Sequence, residues 1–426
     1  MKQFLDGILA RYGNYLSTYR ALACLGVVSL IAELAYAIIN QSAIPPYVQE
    51  IGLTAHVGLI YAVFLGVETV FKSPLGSVGD RIGRKPLLVI GALVSSVTAL
   101  VFTLTRDLWA LLVLRSFDGL AAAAIWPTVT AAMSGSVDSS RRTTAMSVMI
   151  VTYISGLALG PLIGGLANDM TNSRLTSFYV VSGMFLVTAL IAFFLTPCRS
   201  KEEMDASHGH DARQMRLSDL LIGLIAMPDM IFLALLAFFG IGLLIPIAKL
   251  FAMNEVGMSE TKYGGLFLPV ALGVASLSLF SGKLGDRWGK ARSVRLGIAL
   301  SALAMWAITG SSEVWEFALS AMFLGVGFVI AMPAWLALVS DMASPHSRGA
   351  VIGALGTAQG LGAVLGVASG SYLYKMVPLN FGFISFESHR TPFVVSALTL
   401  SLCFMLAVIF VHETEKRRIG KLREES

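Results

Sequence analysis

The chain has 426 residues, of which 56% are hydrophobic and only 13% are charged, and its mean hydropathy is +0.75. Soluble domains carry about 25% charged residues, so this composition excludes a soluble enzyme, a disordered chain and a fibrous protein. It also excludes an outer-membrane barrel, whose strands alternate in polarity over short segments. The net charge of +5 is expected from basic loops on one side of a membrane, not from nucleic-acid binding.

The chain begins with a mixed, aromatic segment (1–20), for which we predict an interfacial helix. Twelve apolar runs of membrane-spanning length follow. A polar stretch (198–218) separates the sixth run from the seventh; it contains His208 and His210 and is interpreted as a solvated linker, not a metal site. The runs cover 21–46, 55–78, 86–105, 108–134, 143–168, 175–197, 228–253, 262–283, 293–311, 316–341, 349–374 and 391–411.

The predicted fold is therefore an all-α membrane protein of twelve transmembrane helices. Two six-helix halves (21–197 and 219–412) are joined by a cytoplasmic linker and followed by a basic cytoplasmic tail (413–426). The loops on the side of the two termini hold 23 of the 31 Lys and Arg residues, and the opposite loops hold 5. This bias predicts that both termini are cytoplasmic. We expect a multi-pass protein of a prokaryotic plasma (inner) membrane.

The two halves repeat each other in sequence. A shift of 206 residues, without gaps, superimposes ten identical residues at equivalent places in the predicted topology. Such a match indicates two parallel repeats, related by an axis along the membrane normal. The matched pairs are Gly76 with Gly282, Gly79 with Gly285, Asp80 with Asp286, Arg81 with Arg287, Gly83 with Gly289, Pro127 with Pro333, Arg142 with Arg348, Gly156 with Gly362, Gly160 with Gly366 and Gly164 with Gly370.

The loop between the second and third runs reads GSVGDRIGRK (76–85), and its copy in the other half reads GKLGDRWGKA (282–291). A carboxylate at this helix end can sit against the positive N-terminus of a neighbouring helix. The string resembles the loop signature of the major facilitator superfamily, G-x-x-x-D-R-x-G-R-K. The resemblance implies a conformational latch, with Lys290 and Ala291 replacing Arg84 and Lys85 in the second copy. The implied latch residues are Gly76, Asp80, Arg81, Gly83, Arg84, Asp286 and Arg287.

The fifth run carries glycines at four-residue spacing, which make one smooth helix face. A close-packing seam is the simplest interpretation. The string also resembles G-x-x-x-G-P-x-x-G-G, the fifth-helix signature of the twelve-span drug:proton antiporters (multidrug efflux) within the superfamily. This resemblance implies export. The residues concerned are Gly156, Gly160, Pro161, Gly164 and Gly165.

The fourth run contains two charges, Arg115 and Asp118, that are spaced to form an i,i+3 pair. With Leu112 and Gly119 they resemble the superfamily pattern L-x-x-R-x-x-Q-G-x-x-A, with Asp118 at the usual glutamine. The resemblance implies that the arginine takes part in proton coupling. Trp126 lies eleven residues further along and is predicted to share the face of Arg115.

Three further charges fall inside the first two runs. A charged side chain at the bilayer centre costs about 2.5–3.5 kcal/mol on insertion scales, so it is interpreted as functional by default. Glu68 and Lys72 can pair at i,i+4, and a neutral pair that only fixes helix packing is the alternative for them. Glu33 has no local partner in the sequence. Because desolvation favours the neutral form of a carboxyl group, we predict that Glu33 carries protons.

The predicted proton-coupling residues are thus Glu33, Glu68, Asp118 and Arg115, and the predicted substrate-cavity residues are Tyr36, Asn40, Lys72, Trp126 and Trp335. The C-terminal half contributes a mainly apolar and aromatic wall. Acids in one half and an apolar wall in the other suit an amphiphilic substrate. The sequence predicts a secondary active transporter that exports an amphiphilic or drug-like molecule by alternating access in exchange for protons.

Two alternatives stay open from the sequence. One is a proton-coupled flippase for a lipid or glycolipid, or another small-metabolite carrier. The other is a membrane receptor that does not transport. No nucleotide-binding, zinc-protease or serine-hydrolase motif is present in the sequence, so neither an enzyme nor a cofactor is predicted. The expected partners are a small molecule, protons and the lipid bilayer, with no nucleic acid and no metal, and the protein is expected to act as a monomer.

Overall fold

The computed structural model describes residues 22–137, 142–195, 227–273, 288–342, 348–376, 378–380 and 385–412. The predicted interfacial helix, cytoplasmic linker and basic tail lie outside the described residues. Nine helices within the described part are long and apolar enough to cross a membrane. The predicted all-α membrane architecture is confirmed.

The N-terminal half forms six long helices whose limits follow the apolar runs closely. Prolines inside α2, α4 and α5 do not end these helices. At the start of α4, the Asp107 carboxylate accepts a hydrogen bond of 2.9 Å from the Ala110 amide and so caps the helix. The helices are α1 (Leu22–Glu50), α2 (Val57–Ile82, after a 3-10 turn at Thr54–His56), α3 (Arg84–Phe102), α4 (Leu108–Gly135), α5 (Arg142–Thr171) and α6 (Thr176–Leu195).

The described part of the C-terminal half follows the same order, but two runs differ from the prediction. The eighth run, expected as one helix over 262–283, has a turn at residue 266 and is helical again from 267 to 273, where the described range ends. The seventh run was expected to form a single helix over 228–253, but it forms two helices separated by a turn at 243–247. Pro246 lies in this turn and lacks the N–H that a continuous helix needs. The elements are α7 (Pro228–Gly242), α8 (Ala248–Asn254), α9 (Glu260–Gly265), α10 (Lys290–Gly310), α11 (Val314–Met342), α12 (Arg348–Met376), the antiparallel strands β1 (Leu379–Asn380) and β2 (Ser385–Phe386), a 3-10 turn (Ser388–Arg390) and α13 (Thr391–Phe410).

The first helix of the N-terminal half is also interrupted. Residues Ile38–Ala43 of α1 form a π-helical turn, directly before Pro45. Shifted by the repeat offset of 206 residues, this turn corresponds to residues 244–249, which overlap the turn between α7 and α8. Both halves therefore depart from α-helix at equivalent places. π-turns inside α-helices are rare and often mark functional sites. The interruption in α1 lies beside the cavity described below.

The repeat is also visible in backbone angles at the start of the third helix of each half. Gly83 precedes α3 and Gly289 precedes α10, and both have a φ of 96°. A residue with a Cβ avoids this conformation, which explains why both loops place glycine there. The backbone geometry thus supports the offset of 206 residues found in the sequence.

By their contacts, the residues divide into two units. The first comprises Met1–Tyr47 and Val63–Ala212, and the second comprises Val48–Ala62 and Arg213–Ser426. The short segment Val48–Ala62 belongs to the second unit, where the Gly58 amide donates a hydrogen bond of 2.8 Å to Ser371 Oγ on α12. The domain limits inferred from the sequence stay a prediction.

Candidate functional site

A cavity of about 1050 Å³ lies within the first unit, between α1, α2, α4 and α5. Its wall combines two carboxylates, one amine, two amides and several aromatic rings. Four of the five predicted substrate-cavity residues line it, together with two of the predicted proton-coupling acids. The polar and aromatic lining includes Glu33, Tyr36, Asn40, Glu68, Lys72 and Trp126.

Glu33 is 5% exposed and lines the cavity. Among the described residues, no hydrogen bond or ion pair to its carboxylate is found. The carboxylate of Glu68 lines the same cavity and interacts with it electrostatically. The cavity therefore holds a buried carboxylate next to a second acid.

Glu33 owes its place to the glycine face of α5. A Cβ at Gly156 would lie 2.6 Å from the Glu33 Cβ, and one at Gly160 would lie 2.5 Å from the Ala37 Cβ. Further along the seam, Ser42 Oγ donates a hydrogen bond of 2.9 Å to the carbonyl of Pro161. The predicted close-packing seam is present between α1 and α5, and its association with export stays a prediction.

Glu68 and Lys72 form the predicted i,i+4 ion pair, with Lys72 Nζ 3.3 Å from Glu68 Oε1. The lysine side chain is 52% exposed and the glutamate side chain is 16% exposed. An exposed pair of this kind contributes about 0–1 kcal/mol to stability, so its main effect is on the charge of the cavity.

Arg115 and Asp118 also form their predicted pair, at 2.6 Å between Nη1 and Oδ2, and both side chains are 0% exposed. The second guanidinium nitrogen, Nη2, donates a hydrogen bond of 2.7 Å to Asn40 Oδ1. The guanidinium carbon lies 4.1 Å from the centre of the Phe64 ring, a cation–π contact. The pair is thus held between α1, α2 and α4.

Arg115 was expected to share the cavity face with Trp126, but only Trp126 lines the cavity. The arginine is turned into the helix bundle because Asp118 and Asn40 both bind its guanidinium. Phe64 and Asn40, which do line the cavity, contact it directly. The Arg115–Asp118 pair is therefore a buried neighbour of the cavity, not part of its wall.

Three site residues were not anticipated from the sequence: Ser95, Phe64 and Tyr153. Ser95 Oγ donates a hydrogen bond of 2.8 Å to Asp118 Oδ1 and lies 3.0 Å from the hydroxyl of Tyr36. Phe64 and Tyr153 line the cavity. A pair of serines in the mainly apolar third run was a weak signal for a buried polar contact. Nothing in the sequence singled out Phe64 and Tyr153, since most aromatic residues in membrane helices only pack against neighbouring helices.

The predicted latch is described only in part. Arg84 lies over the end of α4, with its Nη1 2.7 Å from the position that a Gly135 Cβ would take. Their repeat equivalents, Lys290 and Asp341, form an ion pair of 2.5 Å. Each half thus holds a cation from the start of its third helix against the end of its fourth. The side chains of Asp80 and Arg81, and the whole of Asp286 and Arg287, lie outside the described residues.

Trp335, predicted to line the substrate cavity, is 3% exposed and belongs to the hydrophobic core of the second unit together with Leu338 and Cys403, and its role stays a prediction. That unit also contains a buried ion pair absent from the sequence predictions. Lys249 Nζ on α8 lies 2.6 Å from Glu260 Oε2 on α9. In the described ranges, no group of three or more His, Cys, Asp or Glu side chains is arranged to hold a metal ion.

Repeated halves of apolar helices, with an acidic and aromatic cavity inside one of them, define a membrane transporter rather than an enzyme. The family model of the Major Facilitator Superfamily matches residues 25–228 and 230–426. The chain therefore belongs to the Major Facilitator Superfamily, and it is a multi-pass membrane transporter.

Named relatives and solved structures agree with this assignment. The chain is 25% identical over 398 residues to the multidrug resistance protein MdtG of Serratia proteamaculans (strain 568), covering 90% of this chain and 91% of the relative. It is 25% identical over 367 residues to the class B tetracycline resistance protein of Escherichia coli, covering 82% and 86%.

Among solved structures, the nucleoside transporter NupG matches with a TM-score of 0.78 at 13% identity, over 92% of this chain and 100% of that one. A bacterial homolog of the human lysosomal transporter Spinster matches with a TM-score of 0.74 at 15% identity, over 92% and 98%. At these identities the likeness concerns the fold alone.

Proposed function

We propose that the protein is a secondary active transporter that exports an amphiphilic or drug-like small molecule in exchange for protons. The observation that carries this proposal is Glu33: a carboxylate that is 95% shielded, lines a large aromatic cavity and has no hydrogen-bond or ion-pair partner in the described part of the chain. Such a group has to gain a proton or a bound cation before the site can close.

The charges of the site support this proposal. Lys72 offsets Glu68, and Arg115 offsets Asp118, so Glu33 leaves one net negative charge in the cavity. An unpaired charge in a closed, dehydrated site is costly in a membrane. A proton on Glu33 removes that cost, and so does a cationic substrate. Because the two compete for one carboxylate, loading of one releases the other, which is the requirement for antiport.

The shape and lining of the cavity favour an organic substrate with an aromatic or aliphatic body. Tyr36 and Trp126 have ring centres 6.2 Å apart, and Trp126 and Tyr153 have ring centres 5.8 Å apart. Flat aromatic walls accommodate apolar bodies and also attract cations. The volume of about 1050 Å³ is at the upper end of the range for drug-sized ligands.

The export direction is supported by two observations of a different kind. The α5 string from Gly156 to Gly165 resembles the drug:proton antiporter signature, and its glycines pack against Glu33 and its neighbours. Two named relatives are resistance proteins. We also propose that the protein lies in the inner membrane with both termini in the cytoplasm, on the basis of its Lys and Arg distribution.

The proposal is tested with purified protein in proteoliposomes under an imposed pH gradient. Cationic, neutral and anionic fluorescent amphiphiles are compared, with a fluorescent lipid as a further substrate. We expect movement of the cationic amphiphile that stops when the gradient is collapsed. Transport of the lipid alone would support the flippase alternative, and transport that is indifferent to the gradient would refute proton coupling.

A further inference from the structure

We propose that protons pass between the cavity and Asp118 through two hydroxyl groups, those of Tyr36 and Ser95. The inference rests on the proton coupling proposed above and adds a route that the sequence did not indicate. Tyr36 and Ser95 are thereby positioning and relay residues, located on α1 and α3.

Asp118 needs such a route because it does not reach the cavity. Its side chain is 0% exposed and is absent from the cavity wall. Tyr36, in contrast, lines the cavity while its own side chain is 4% exposed. Between them lies Ser95, which is 0% exposed. The three oxygens form a continuous chain, with 3.0 Å from Tyr36 to Ser95 and 2.8 Å from Ser95 to Asp118.

The direction of the hydrogen bonds suits inward proton movement. An ionised carboxylate only accepts hydrogen bonds, so Ser95 donates its single hydrogen to Asp118. The lone pairs of Ser95 are then available to accept the hydrogen of Tyr36. Both donors in the chain point from the cavity toward the carboxylate.

A second arm joins the ion pair to the cavity, through Arg115 and Asn40 at 2.7 Å. This arm does not relay protons, because a guanidinium keeps its proton at any pH that a protein experiences. Its role is to hold the pair in place on α1. The hydroxyl arm is therefore the one that conducts.

The relay moves one proton in three concerted hops. A protonated water or carboxylic acid in the cavity gives a proton to the Tyr36 oxygen as the Tyr36 O–H bond breaks toward Ser95 Oγ. The Ser95 O–H bond breaks in turn, and its proton forms a new bond to Asp118 Oδ1. Tyrosine and serine end neutral, the aspartate ends as a neutral acid, and rotation of both hydroxyls restores the starting arrangement.

The charged and titratable groups around Asp118 determine how readily its carboxylate accepts this proton. Arg115 on the same helix contacts the carboxylate, while Glu68 on α2 acts on it from a distance. Tyr36 on α1 interacts with Asp118 in the same way, and with Glu68 as well. Removal of the Tyr36 or Ser95 hydroxyl removes none of these charges, but Ser95→Ala also removes the hydrogen bond to Asp118. Tyr36→Phe does not touch the carboxylate and therefore separates the relay from the electrostatics.

The test uses Tyr36→Phe, Ser95→Ala, the double variant and the conservative Ser95→Thr. Phenylalanine keeps the edge contact of the ring with Phe185, whose centre is 4.8 Å away. Two matched controls remove hydroxyls elsewhere in the same helices. Ser96→Ala removes a bond to the Ser182 carbonyl, and Tyr47→Phe removes a bond to the Thr105 carbonyl.

The measurement is infrared difference spectroscopy of the purified protein during transfer from H2O to D2O. The band of the protonated Asp118 carboxyl is assigned by its loss in Asp118→Asn, and its exchange rate is followed. We expect exchange to slow by at least about tenfold in Tyr36→Phe and in Ser95→Ala, since positioned proton donors contribute factors of this size or larger. The double variant should be no slower than the slower single variant, because the two hydroxyls act in series.

Ser95→Thr and both controls should exchange at the wild-type rate. Equal rates in wild type, Tyr36→Phe and Ser95→Ala would overturn the relay, and so would the absence of an Asp118 band at every pH tested. The readout does not depend on transport. Loss of the proposed antiport function would instead show as gradient-independent transport by the wild-type protein, with the exchange result standing on its own.

Discussion

Gly156 lies directly against Glu33: a Cβ at position 156 would come within 2.6 Å of the glutamate Cβ and 2.7 Å of its Cγ. The glycine of the predicted packing seam is therefore also the residue that leaves room for the candidate proton carrier. The packing seam and the candidate site are separate motifs in the sequence, and the contact between Gly156 and Glu33 joins them.

Gly156→Ala is the first test of this contact. The added methyl group has to displace Glu33 or separate α1 from α5, at a cost of about 1–3 kcal/mol for overpacking. We expect a lower melting temperature together with reduced gradient-driven transport. Gly183→Ala on α6, where a Cβ would meet nothing within 4 Å, is the matched control. Wild-type transport by Gly156→Ala would show that the position of Glu33 is not critical.

Glu33→Gln should abolish export driven by a pH gradient while still allowing downhill exchange of substrate. The amide resembles the protonated acid in shape and lacks its negative charge, so the transport cycle continues without proton movement. Glu33→Asp should instead shift the pH optimum, because the acid is kept in a changed position. Both are measured in proteoliposomes with and without a gradient.

Glu50→Gln, at the exposed end of the same helix, is the control for Glu33 and should behave as wild type. The opposite pattern is informative as well. If Glu33→Gln exports normally under a gradient and Glu68→Gln or Asp118→Asn does not, the coupling carboxylate belongs to α2 or α4.

The buried Arg115–Asp118 pair predicts strongly non-additive stability. Arg115→Met leaves the Asp118 charge buried without its partner, and loss of one partner from a buried pair costs about 3–5 kcal/mol. Asp118→Asn in the same background removes that charge and should recover part of the loss. Thermal unfolding of the two single variants and the double variant in detergent gives the coupling energy. Additive effects would mean that the pair contributes little to the fold.

Asp80→Asn tests the proposed latch. If Asp80 acts on the equilibrium between the two transport conformations, its replacement should lower turnover while substrate affinity stays near the wild-type value. Turnover is measured in proteoliposomes and affinity by fluorescence binding in detergent. Loss of affinity with normal turnover would assign Asp80 to the binding site instead of the latch.

The sequence predicted most of the helices, and the ion pairs within them, because both depend on local patterns. Apolar runs fix the limits of membrane helices, and the ion pairs of Arg115 with Asp118 and of Glu68 with Lys72 follow from helical spacing alone. The glycine motif likewise predicted a seam, which the structure places between α1 and α5.

What the sequence could not predict were contacts between helices. Ser95 meets Asp118 and Tyr36 across 23 and 59 residues, and no spacing rule links them. The same limit explains Arg115, whose helix was assigned correctly but whose guanidinium is bound by Asp118 and Asn40 outside the cavity wall. The turn between α7 and α8 depends on whether Pro246 is accommodated or breaks the helix, and tertiary packing decides this.

The paired interruptions of α1 and of α7–α8 change what holds the ends of these helices. In the π-turn the backbone bonds span five residues, as from the Ile44 amide to the Ile39 carbonyl, and in the turn between α7 and α8 several span only three. Side chains add a contact at each turn: Ser42 in the π-turn binds the carbonyl of Pro161, and Lys249 near the start of α8 binds Glu260. A change in either side-chain contact can therefore alter the direction of one helix end while the rest of that helix stays in place.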